Sequence, residues 1–364
     1  MMNHLNGERL MYDRELRNPS ACGITGVMNQ KGEVFSGEVI LNSICCMLER
    51  GNGLGSGFAG YGIYPDFKDY WCFHIMYDKE TAKDIVEDYL ENLFIIVHSE
   101  PIPVKKIGVL GEIPLLWRYF LSFKGEEESE EFIVHTVMRV NREIEGAYVF
   151  SSGKNMGIFK GVGSPDAIGE FFRVSEYKGY IWLAHNRFPT NTPGWWGGAH
   201  PFGLLDWALV HNGEISSYGV NKRYLESFGY YCTLSTDTEV MAYLFDLLVR
   251  KHGLDFGIVA KILSAPFWSQ IEKFEDEREK AFLKTLRIIY GPALVNGPFA
   301  IIVANNKYMV GLNDRTKLRP LVAAKNGDFI YIASEESAIR IISRNLEEVW
   351  MPRAGEPVIG KVVM

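Results

Sequence analysis

Short apolar runs and amphipathic stretches alternate along most of the chain. The run at 23–29 stops at Gln30-Lys31-Gly32, and an apolar run bounded by turn residues is typical of a strand. Residues 38–49 repeat apolar side chains at helical spacing, which indicates a helix. By the same criteria, strands are predicted at 61–64, 94–98, 146–151, 156–160, 179–184, 207–210, 299–305, 308–312, 321–324 and 329–334, and helices at 125–142, 81–93, 240–251, 254–264, 270–289 and 335–344.

Two segments and the absence of linkers complete the predicted architecture. The glycine-rich segment 51–62 lacks the Lys-Ser/Thr pair of a nucleotide-binding loop, so it predicts a flexible turn before strand 61–64. Thr236, with Glu239 three residues later, predicts a capping box at the start of helix 240–251. The chain shows no internal repeat and no Pro/Gly/Ser-rich linker. We therefore expect one domain over residues 22–364, with helices outside and strands inside.

The overall charge and hydropathy argue against several classes of partner. The formal net charge is −7 and the pI is about 5.7, with no basic block that would suit a nucleic acid. No apolar run approaches the roughly 18–20 residues needed to cross a bilayer, so a membrane partner is not expected. Residues 1–21 are charged throughout and lack the apolar centre of a secretory signal. The sequence therefore predicts a cytoplasmic protein.

Five cysteines are present, and one of them has distinctive neighbours. Their spacing contains no CxxC pair, so we expect neither a metal site nor a disulfide framework. Cys22 follows Ala21 and precedes the first predicted strand, and Pro19 favours an extended segment just before it. Residues 1–21 are interpreted as a propeptide or leader. Once they are removed, the Cys22 thiol has a free α-amine beside it, and this amine titrates near pH 8 and can act as the general base.

Three polar clusters follow predicted strands or precede a helix, and each has a plain structural interpretation. Arg187 suits a surface ion pair, Asn212-Gly213 a type I′ hairpin turn, and Asp237 a helix cap. Together they suit a different task. An arginine binds an α-carboxylate through paired hydrogen bonds, a carboxylate binds an α-ammonium, and the Asn and Gly donors stabilise an oxyanion. This set predicts thiolate attack on the side-chain amide of glutamine.

Several motifs with these residues occur in a characteristic order between residues 22 and 335. They are Cys22-Gly-Ile, His185-x-Arg-Phe-x-Thr-Asn-Thr, Ala199-His-Pro-Phe, His211-Asn-Gly-Glu-Ile, Thr236-Asp-Thr-Glu, Asn313-Asp-Arg-Thr-Lys-Leu-Arg-Pro-Leu321 and Ala333-Ser-Glu335. The set resembles the class II glutamine amidotransferases. This resemblance implies an α/β protein with the four-layer α/β/β/α sandwich of the N-terminal-nucleophile hydrolases.

The resemblance also implies roles for single residues. Cys22 is the nucleophile and its amine the base, while Asn212 and Gly213 form the oxyanion hole. Arg187 and Asp237 hold glutamine. Two further residues are assigned to the substrate-binding group: Thr190 contacts glutamine, and Arg50 orients the Cys22 end.

Within the family, Arg-Phe-x-Thr-Asn-Thr and His-Asn-Gly-Glu-Ile look most like the glutaminase domain of glutamate synthase. Thr236-Asp-Thr-Glu is instead more similar to the sugar-phosphate synthases. The 364 residues contain no flavin, iron–sulfur or synthase module, so these cofactors are expected only on a separate synthase subunit that receives ammonia. The chain itself is expected to need no cofactor.

Other interpretations of the sequence stay open at this point. The ammonia acceptor can be another synthase, of the N-methylglutamate synthase type or of a sugar or nucleotide type. The chain can also be an N-terminal-nucleophile amidase that acts on another amide. A third alternative is a non-catalytic subunit that keeps residues 1–21, in which the Cys22 nitrogen is an amide and cannot serve as a base.

Overall fold

A computed structural model describes residues 21–125, 128–188 and 194–363. The strands are β1 Gly23–Asn29, β2 Phe35–Ser36, β3 Ser56–Tyr61, β4 Trp71–Tyr77, β5 Phe94–Pro101, β6 Leu115–Phe123, β7 Ala147–Ser151, β8 Met156–Gly161, β9 Lys178–Gly179, β10 Ile181–Asn186, β11 Phe202–Leu204, β12 Trp207–Gly213, β13 Phe299–Ala304, β14 Tyr308–Asn313, β15 Val322–Asn326, β16 Phe329–Ala333, β17 Glu348–Trp350 and β18 Val358–Lys361. The helices are α1 Glu38–Cys45, α2 Glu80–Leu93, α3 Glu130–Glu143, α4 Pro165–Phe171, α5 Tyr218–Glu226, α6 Asp237–Phe245, α7 Phe256–Leu263, α8 Trp268–Ile271, α9 Glu277–Ile289 and α10 Glu336–Arg340.

Two antiparallel sheets lie face to face at the centre. The first has seven strands in the order β17-β15-β16-β1-β10-β3-β8, and the second has five in the order β11-β12-β13-β14-β18. At Gly26 of β1, a Cβ would lie 2.9 Å from Met309 Sδ and 3.1 Å from Ile302 Cγ2 of the opposite sheet. Because successive strand residues point to opposite faces, Thr25 points the other way and its Oγ1 lies 2.8 Å from Ser43 Oγ on α1.

Helices cover both outer faces of this pair of sheets. Helices α1, α4 and α10 pack on the seven-stranded sheet, and α6 packs on β11 and β12 of the five-stranded sheet. The layers therefore run helix, sheet, sheet, helix, and the predicted α/β/β/α sandwich is confirmed. Among the residues that the structure describes, no helix combines the length and apolar character that crossing a membrane requires.

A second antiparallel unit is inserted between β3 and β8. Its four strands have the order β5-β6-β4-β7, and its apolar face packs with residues of α2 and α3. Trp71 and Phe73 of this unit belong to the same apolar cluster as Phe202 and Trp207 of the five-stranded sheet. The insertion therefore packs against the sandwich. Strands β4 and β6 were not predicted from the sequence.

The prediction of a turn at 51–62 and a strand at 61–64 is wrong. Half of the glycine-rich segment, residues 56–61, is strand β3, which lies between β10 and β8 inside the seven-stranded sheet. A Cβ on Gly57 would lie 2.3 Å from the carbonyl oxygen of His200, and one on Gly60 would lie 2.7 Å from the Trp182 ring. Glycine is needed here for close approach within the sheet and not for flexibility.

Several other helix predictions need correction. The predicted helix 270–289 consists of two helices, α8 and α9. Helix 335–344 is shortened to α10, and α4 and α5 were not predicted. The capping box is half correct: Thr236 Oγ1 accepts hydrogen bonds from the backbone N–H groups of Thr238 and Glu239. The Glu239 carboxylate accepts hydrogen bonds from Thr233 N and Leu234 N, so it turns away from the cap.

Candidate active site

Cys22 lies immediately before β1, at the edge of the sheet where β1 begins and the antiparallel strand β10 ends. Gly23 pairs with Asn186, the last residue of β10, so the residues that follow β10 come close to the Cys22 thiol. The backbone N–H of Phe188 donates to Cys22 Sγ at 3.2 Å. Burial raises the pKa of the thiol, while the Phe188 N–H and the charges of Arg187 and Arg319 lower it, and the net shift is upward. A base is therefore needed to form the thiolate at neutral pH.

A cavity of about 270 Å³ opens at the thiol and joins the three polar clusters that the sequence singled out. Cys22, Arg187, Asn212, Gly213 and Asp237 all line it. They come from both sheets, since Cys22 and Arg187 flank β1 and β10 while Asn212 and Gly213 end β12. Of the predicted residues that the structure describes, all but Arg50 are thus brought together. Ala21, His200, His211, Tyr218 and Arg319 are among the other lining residues.

Asp237 begins α6 and carries an ionised carboxylate at the cavity. Its Oδ2 accepts the backbone N–H of Ile215 at 3.1 Å, and its Oδ1 lies 3.7 Å from His211 Nδ1 and 3.3 Å from Thr238 Oγ1. Burial raises the pKa of the carboxyl group, but His211 and these hydrogen bonds outweigh burial and bring the pKa below its ordinary value. The carboxylate is therefore charged at neutral pH and suits an ammonium group.

Arg187 follows β10 and its side chain is almost fully buried. Its backbone N–H donates to Gly55 O at 2.9 Å, and its Cδ would lie 3.2 Å from a Cβ at Gly55. Burial lowers the pKa of the guanidinium, while Cys22 and Asp237 raise it, and the net shift is downward. The group is nevertheless a permanent cation at neutral pH. Because it is buried, Arg187 does not lie at the surface, where the alternative interpretation placed it.

Asn212 and Gly213 are the last two residues of β12, paired with Ala300 and Phe299 of β13. They belong to the ladder itself, which rules out a hairpin turn at this dipeptide. The Asn212 side chain is 1% exposed and its Nδ2 lies 3.4 Å from Ser334 Oγ. Gly213 has a φ of 151°, and a Cβ there would lie 2.0 Å from Pro298 O. No other residue fits this backbone without a shift.

Replacement of Gly213 by alanine is expected to displace the backbone N–H from the site. Because the clash is with backbone atoms of Pro298 and Phe299, the strand end must move. We expect kcat for glutamine hydrolysis to fall by about 10²-fold, the effect of losing one oxyanion donor. Gly229→Ala is the matched control, since Gly229 also has positive φ but open space around it. Equal kcat values for both variants would contradict the role of Gly213.

Arg50 lies behind the nucleophile and does not line the cavity. Its Nε donates to the backbone carbonyl of Cys22 at 3.2 Å, and its Nη1 lies 2.5 Å from Glu335 Oε1. The structure therefore agrees with orientation of the Cys22 end. It does not place Arg50 where glutamine would bind, and this part of the prediction is corrected because the guanidinium is engaged by Cys22 O and Glu335.

Replacement of Glu335 by glutamine removes the charge that holds Arg50. We expect a few-fold to about 10-fold loss in kcat, because the half-exposed ion pair contributes modestly, with KM for glutamine changed less than about 2-fold. Steady-state kinetics of Glu335→Gln tests this. Arg340→Gln, which breaks the neighbouring exposed pair with Glu336, serves as the control. A raised KM at constant kcat would show that Arg50 acts on the substrate instead.

Some site residues had no role assigned from the sequence. The rings of His185 and His200 stack at 4.0 Å beside the cavity, which His200 lines. His200 Nε2 and His211 Nδ1 both approach Thr238 Oγ1, at 3.3 and 3.2 Å. Burial lowers the pKa of His185 and His200 well below the ordinary value, so both are neutral. Arg319 also lines the cavity. These residues belong to quoted motifs, but only their contacts show what they touch.

Part of the prediction falls outside the described residues. Thr190 and residues 1–20 are not described, so their roles stay predictions. All five cysteines are described and free. Within the described ranges, no group of three His, Cys, Asp or Glu side chains is arranged to hold a metal ion.

Comparison with known proteins identifies relatives over most of the chain. An uncharacterized protein of Archaeoglobus fulgidus is 53% identical over 355 residues, 95% of this chain and 93% of that protein. A protein of Methanothermobacter thermautotrophicus, provisionally named a glutamine amidotransferase, is 24% identical and covers 88% of this chain and 93% of its own length. The glutamate synthase [NADPH] large chain of Bacillus subtilis is 23% identical over 68% of this chain but only 18% of its own length.

The family description "Glutamine amidotransferases class-II" matches residues 126–356. This range holds Arg187, Asn212, Gly213 and Asp237, and it begins after Cys22. The match spans more than half of the chain. The thiol of Cys22, outside the matched range, lies in the same cavity as these four residues. The chain belongs to the class II glutamine amidotransferases.

Proposed function

We propose that this chain releases ammonia from glutamine through a thioester on Cys22. The observation that carries the proposal is the single cavity in which a thiol, a guanidinium, a carboxylate and an Asn-Gly strand end meet. Its volume of about 270 Å³ lies just below the roughly 300–1,000 Å³ of ordinary ligand sites, which suits a free amino acid better than a peptide or a sugar conjugate.

The two charged residues define the substrate. Arg187 binds the α-carboxylate through paired hydrogen bonds, and Asp237 binds the α-ammonium. Their charges are opposite and both are largely withdrawn from solvent, so each strengthens the preference for a zwitterionic end. The side-chain amide is then directed towards Cys22. An amide without a free α-amino-acid end is expected to bind poorly.

The chemistry proceeds in two halves. The Cys22 thiol gives its proton to the α-amine while Sγ bonds to the amide carbon, and the carbonyl oxygen becomes an oxyanion. Asn212 and the Gly213 N–H stabilise this charge. Collapse of the intermediate breaks the C–N bond, the leaving nitrogen takes the proton, and ammonia departs. Water then attacks the γ-glutamyl thioester, which yields glutamate and restores the thiol.

Removal of residues 1–21 has two effects on this site. With the Ala21–Cys22 peptide bond intact, the Cys22 nitrogen is an amide and carries no lone pair that can accept the thiol proton. Ala21 also lines the cavity that would receive glutamine. Cleavage of this bond therefore supplies the base and clears space for the substrate.

The ammonia acceptor is proposed to be a separate synthase subunit, and glutamate synthase is the preferred candidate. Support comes from the Arg-Phe-x-Thr-Asn-Thr motif and from the relative in Bacillus subtilis, of which this chain covers only 18%. The flavin and the iron–sulfur cluster belong to that partner, and the complex is expected in the cytoplasm. An N-methylglutamate synthase or a sugar or nucleotide synthase would use the same ammonia.

Kinetics with two amides test the proposed substrate. The processed chain is expected to release ammonia from glutamine, and Nα-acetylglutamine is expected to react at least about 10²-fold more slowly, since its α-nitrogen carries no charge for Asp237. Equal kcat/KM values for both amides would favour a general N-terminal-nucleophile amidase.

A further inference from the structure

The nucleophile and the oxyanion donors belong to different sheets, and one buried hydroxyl touches both. Ser334 follows β16 in the seven-stranded sheet and is 2% exposed. Its Oγ accepts the backbone N–H of Ile24 at 3.1 Å, two residues beyond Cys22. The same Oγ lies 3.4 Å from Nδ2 of Asn212, at the end of β12 in the other sheet. Ser334 thus connects the two halves of the site.

The hydrogen-bonding groups of Asn212 and Ser334 favour one orientation of the Asn212 amide. With Nδ2 towards Ser334, the bond is long and Asn212 Oδ1 is buried without a hydrogen-bond partner among the described residues. An unpaired buried oxygen is unfavourable. Ser334 Oγ already accepts from Ile24, so its own proton is available to an acceptor. Rotation of the amide by 180° pairs that proton with Oδ1.

The rotated amide is the orientation that catalysis needs. Oxygen and nitrogen of an amide side chain are distinguished by their hydrogen bonds, so the choice of partner decides which end faces the cavity. When Ser334 donates to Oδ1, the Nδ2 group is left to donate to the cavity that Asn212 lines. When the amide is reversed, its carbonyl oxygen would repel the oxyanion.

We infer that Ser334 is a positioning residue that fixes the Asn212 amide with Nδ2 towards the reacting carbonyl. The inference rests on the proposed glutaminase reaction and adds a residue to it. Ser334 does not touch glutamine; it acts through Asn212. Its hydrogen bond with Ile24 also holds the start of the strand that follows Cys22. The same hydroxyl therefore contacts both the oxyanion donor and the strand next to the nucleophile.

A double-mutant cycle tests this coupling. Asn212→Ala is expected to lower kcat by about 10²–10³-fold, and Ser334→Ala by about 10-fold, because an unrestrained amide still presents Nδ2 part of the time. KM for glutamine should change less than about 2-fold in Ser334→Ala, because Ser334 does not contact the substrate. In the Asn212→Ala background, Ser334→Ala should lower kcat no further. Ser334→Thr, which keeps the hydroxyl, should retain most of kcat.

A matched control separates positioning from general destabilisation. Ser43 is also buried against the seven-stranded sheet, where its Oγ donates to Ala338 O at 2.8 Å, but it does not contact Asn212. Ser43→Ala should lower Tm as Ser334→Ala does and leave kcat unchanged. The inference is overturned if Ser334→Ala has the same effect on kcat with and without Asn212, or if Ser43→Ala lowers kcat equally.

A second readout does not depend on activity. The Tm loss caused by Ser334→Ala is expected to be smaller in Asn212→Ala than in the wild type, because one of the two bonds is already absent. Additive Tm losses would overturn the inference even in an active enzyme. Failure of the wild type to release ammonia would overturn the proposed function alone, since the Tm cycle would still report the contact.

Discussion

Alanine at position 22 is expected to reduce ammonia release from glutamine by more than about 10⁴-fold, because Cys22 is the only cysteine among the described residues that line the cavity. The half-buried thiol accepts a hydrogen bond from Phe188 and lies beside the residues proposed to bind the substrate. Glutamine binding should be retained, since Arg187 and Asp237 are unchanged. The measurement combines a sensitive ammonia assay with calorimetry of glutamine binding.

Two further variants sharpen the assignment of Cys22. Cys46→Ala removes an exposed cysteine and is expected to leave activity unchanged. Cys22→Ser keeps the shape of the side chain but has a much weaker nucleophile, so its activity should be near that of Cys22→Ala. Substantial ammonia release by Cys22→Ala would show that another group is the nucleophile.

Replacement of Asp237 by asparagine should alter substrate choice more than the chemical step. Asparagine keeps an oxygen that can accept the Ile215 N–H, but it loses the negative charge proposed to hold the α-ammonium. Removal of one member of a buried charge pair costs about 2–5 kcal/mol, so kcat/KM for glutamine should fall at least about 30-fold, mainly through KM.

Glutaramate, which lacks the α-amino group, provides the internal comparison for Asp237→Asn. The wild type should strongly prefer glutamine over glutaramate, and the variant should treat the two amides nearly alike. Asp255→Asn, at the N-terminus of α7 and outside the cavity, is the control for loss of a carboxylate at the start of a helix. An unchanged preference for glutamine in Asp237→Asn would contradict the proposed role.

The same prediction has a pH component. The pKa of Asp237 lies below its ordinary value, so the carboxylate binds ammonium above that pKa and loses this ability only when the pH falls through it. Asp237 should therefore stay ionised between about pH 5 and pH 8, so its titration should not change KM for glutamine in this range.

The sequence predicted much of the central sandwich because its strands are short apolar runs that end at turn residues. Strand β1 has the predicted bounds, and β13, β14 and β16 each lie within one residue of them. Strand β3 was missed because glycine usually signals a turn, whereas Gly57 is required by the close approach of Phe159 O and His200 O. That approach depends on residues about 100 to 140 positions away, which local patterns do not contain.

The candidate site was also predicted in part. The chemistry of a glutamine substrate selected Arg187, Asn212, Gly213 and Asp237, and the fold brings them to one cavity with Cys22. Ser334 and Arg319 could not be assigned in this way. Their motifs were visible, but their importance depends on contacts across more than 100 residues, such as Ser334 with Asn212. Arg50 was placed in the substrate-binding group, although the role that the resemblance implied for it, orientation of the Cys22 end, is the one that its contact with Cys22 O supports.

The central claim is that Cys22 becomes the first residue of the active chain and carries the acyl group. Intact-protein mass spectrometry of the active preparation, before and after treatment with a glutamine analogue that has a diazoketone in place of its amide, tests both parts together. Fragmentation from the N-terminus then locates the adduct.

We predict a chain that lacks residues 1–21 and carries one adduct on Cys22, with loss of ammonia release in proportion to labelling. A chain that keeps residues 1–21, releases ammonia at full rate and is labelled elsewhere would contradict the account.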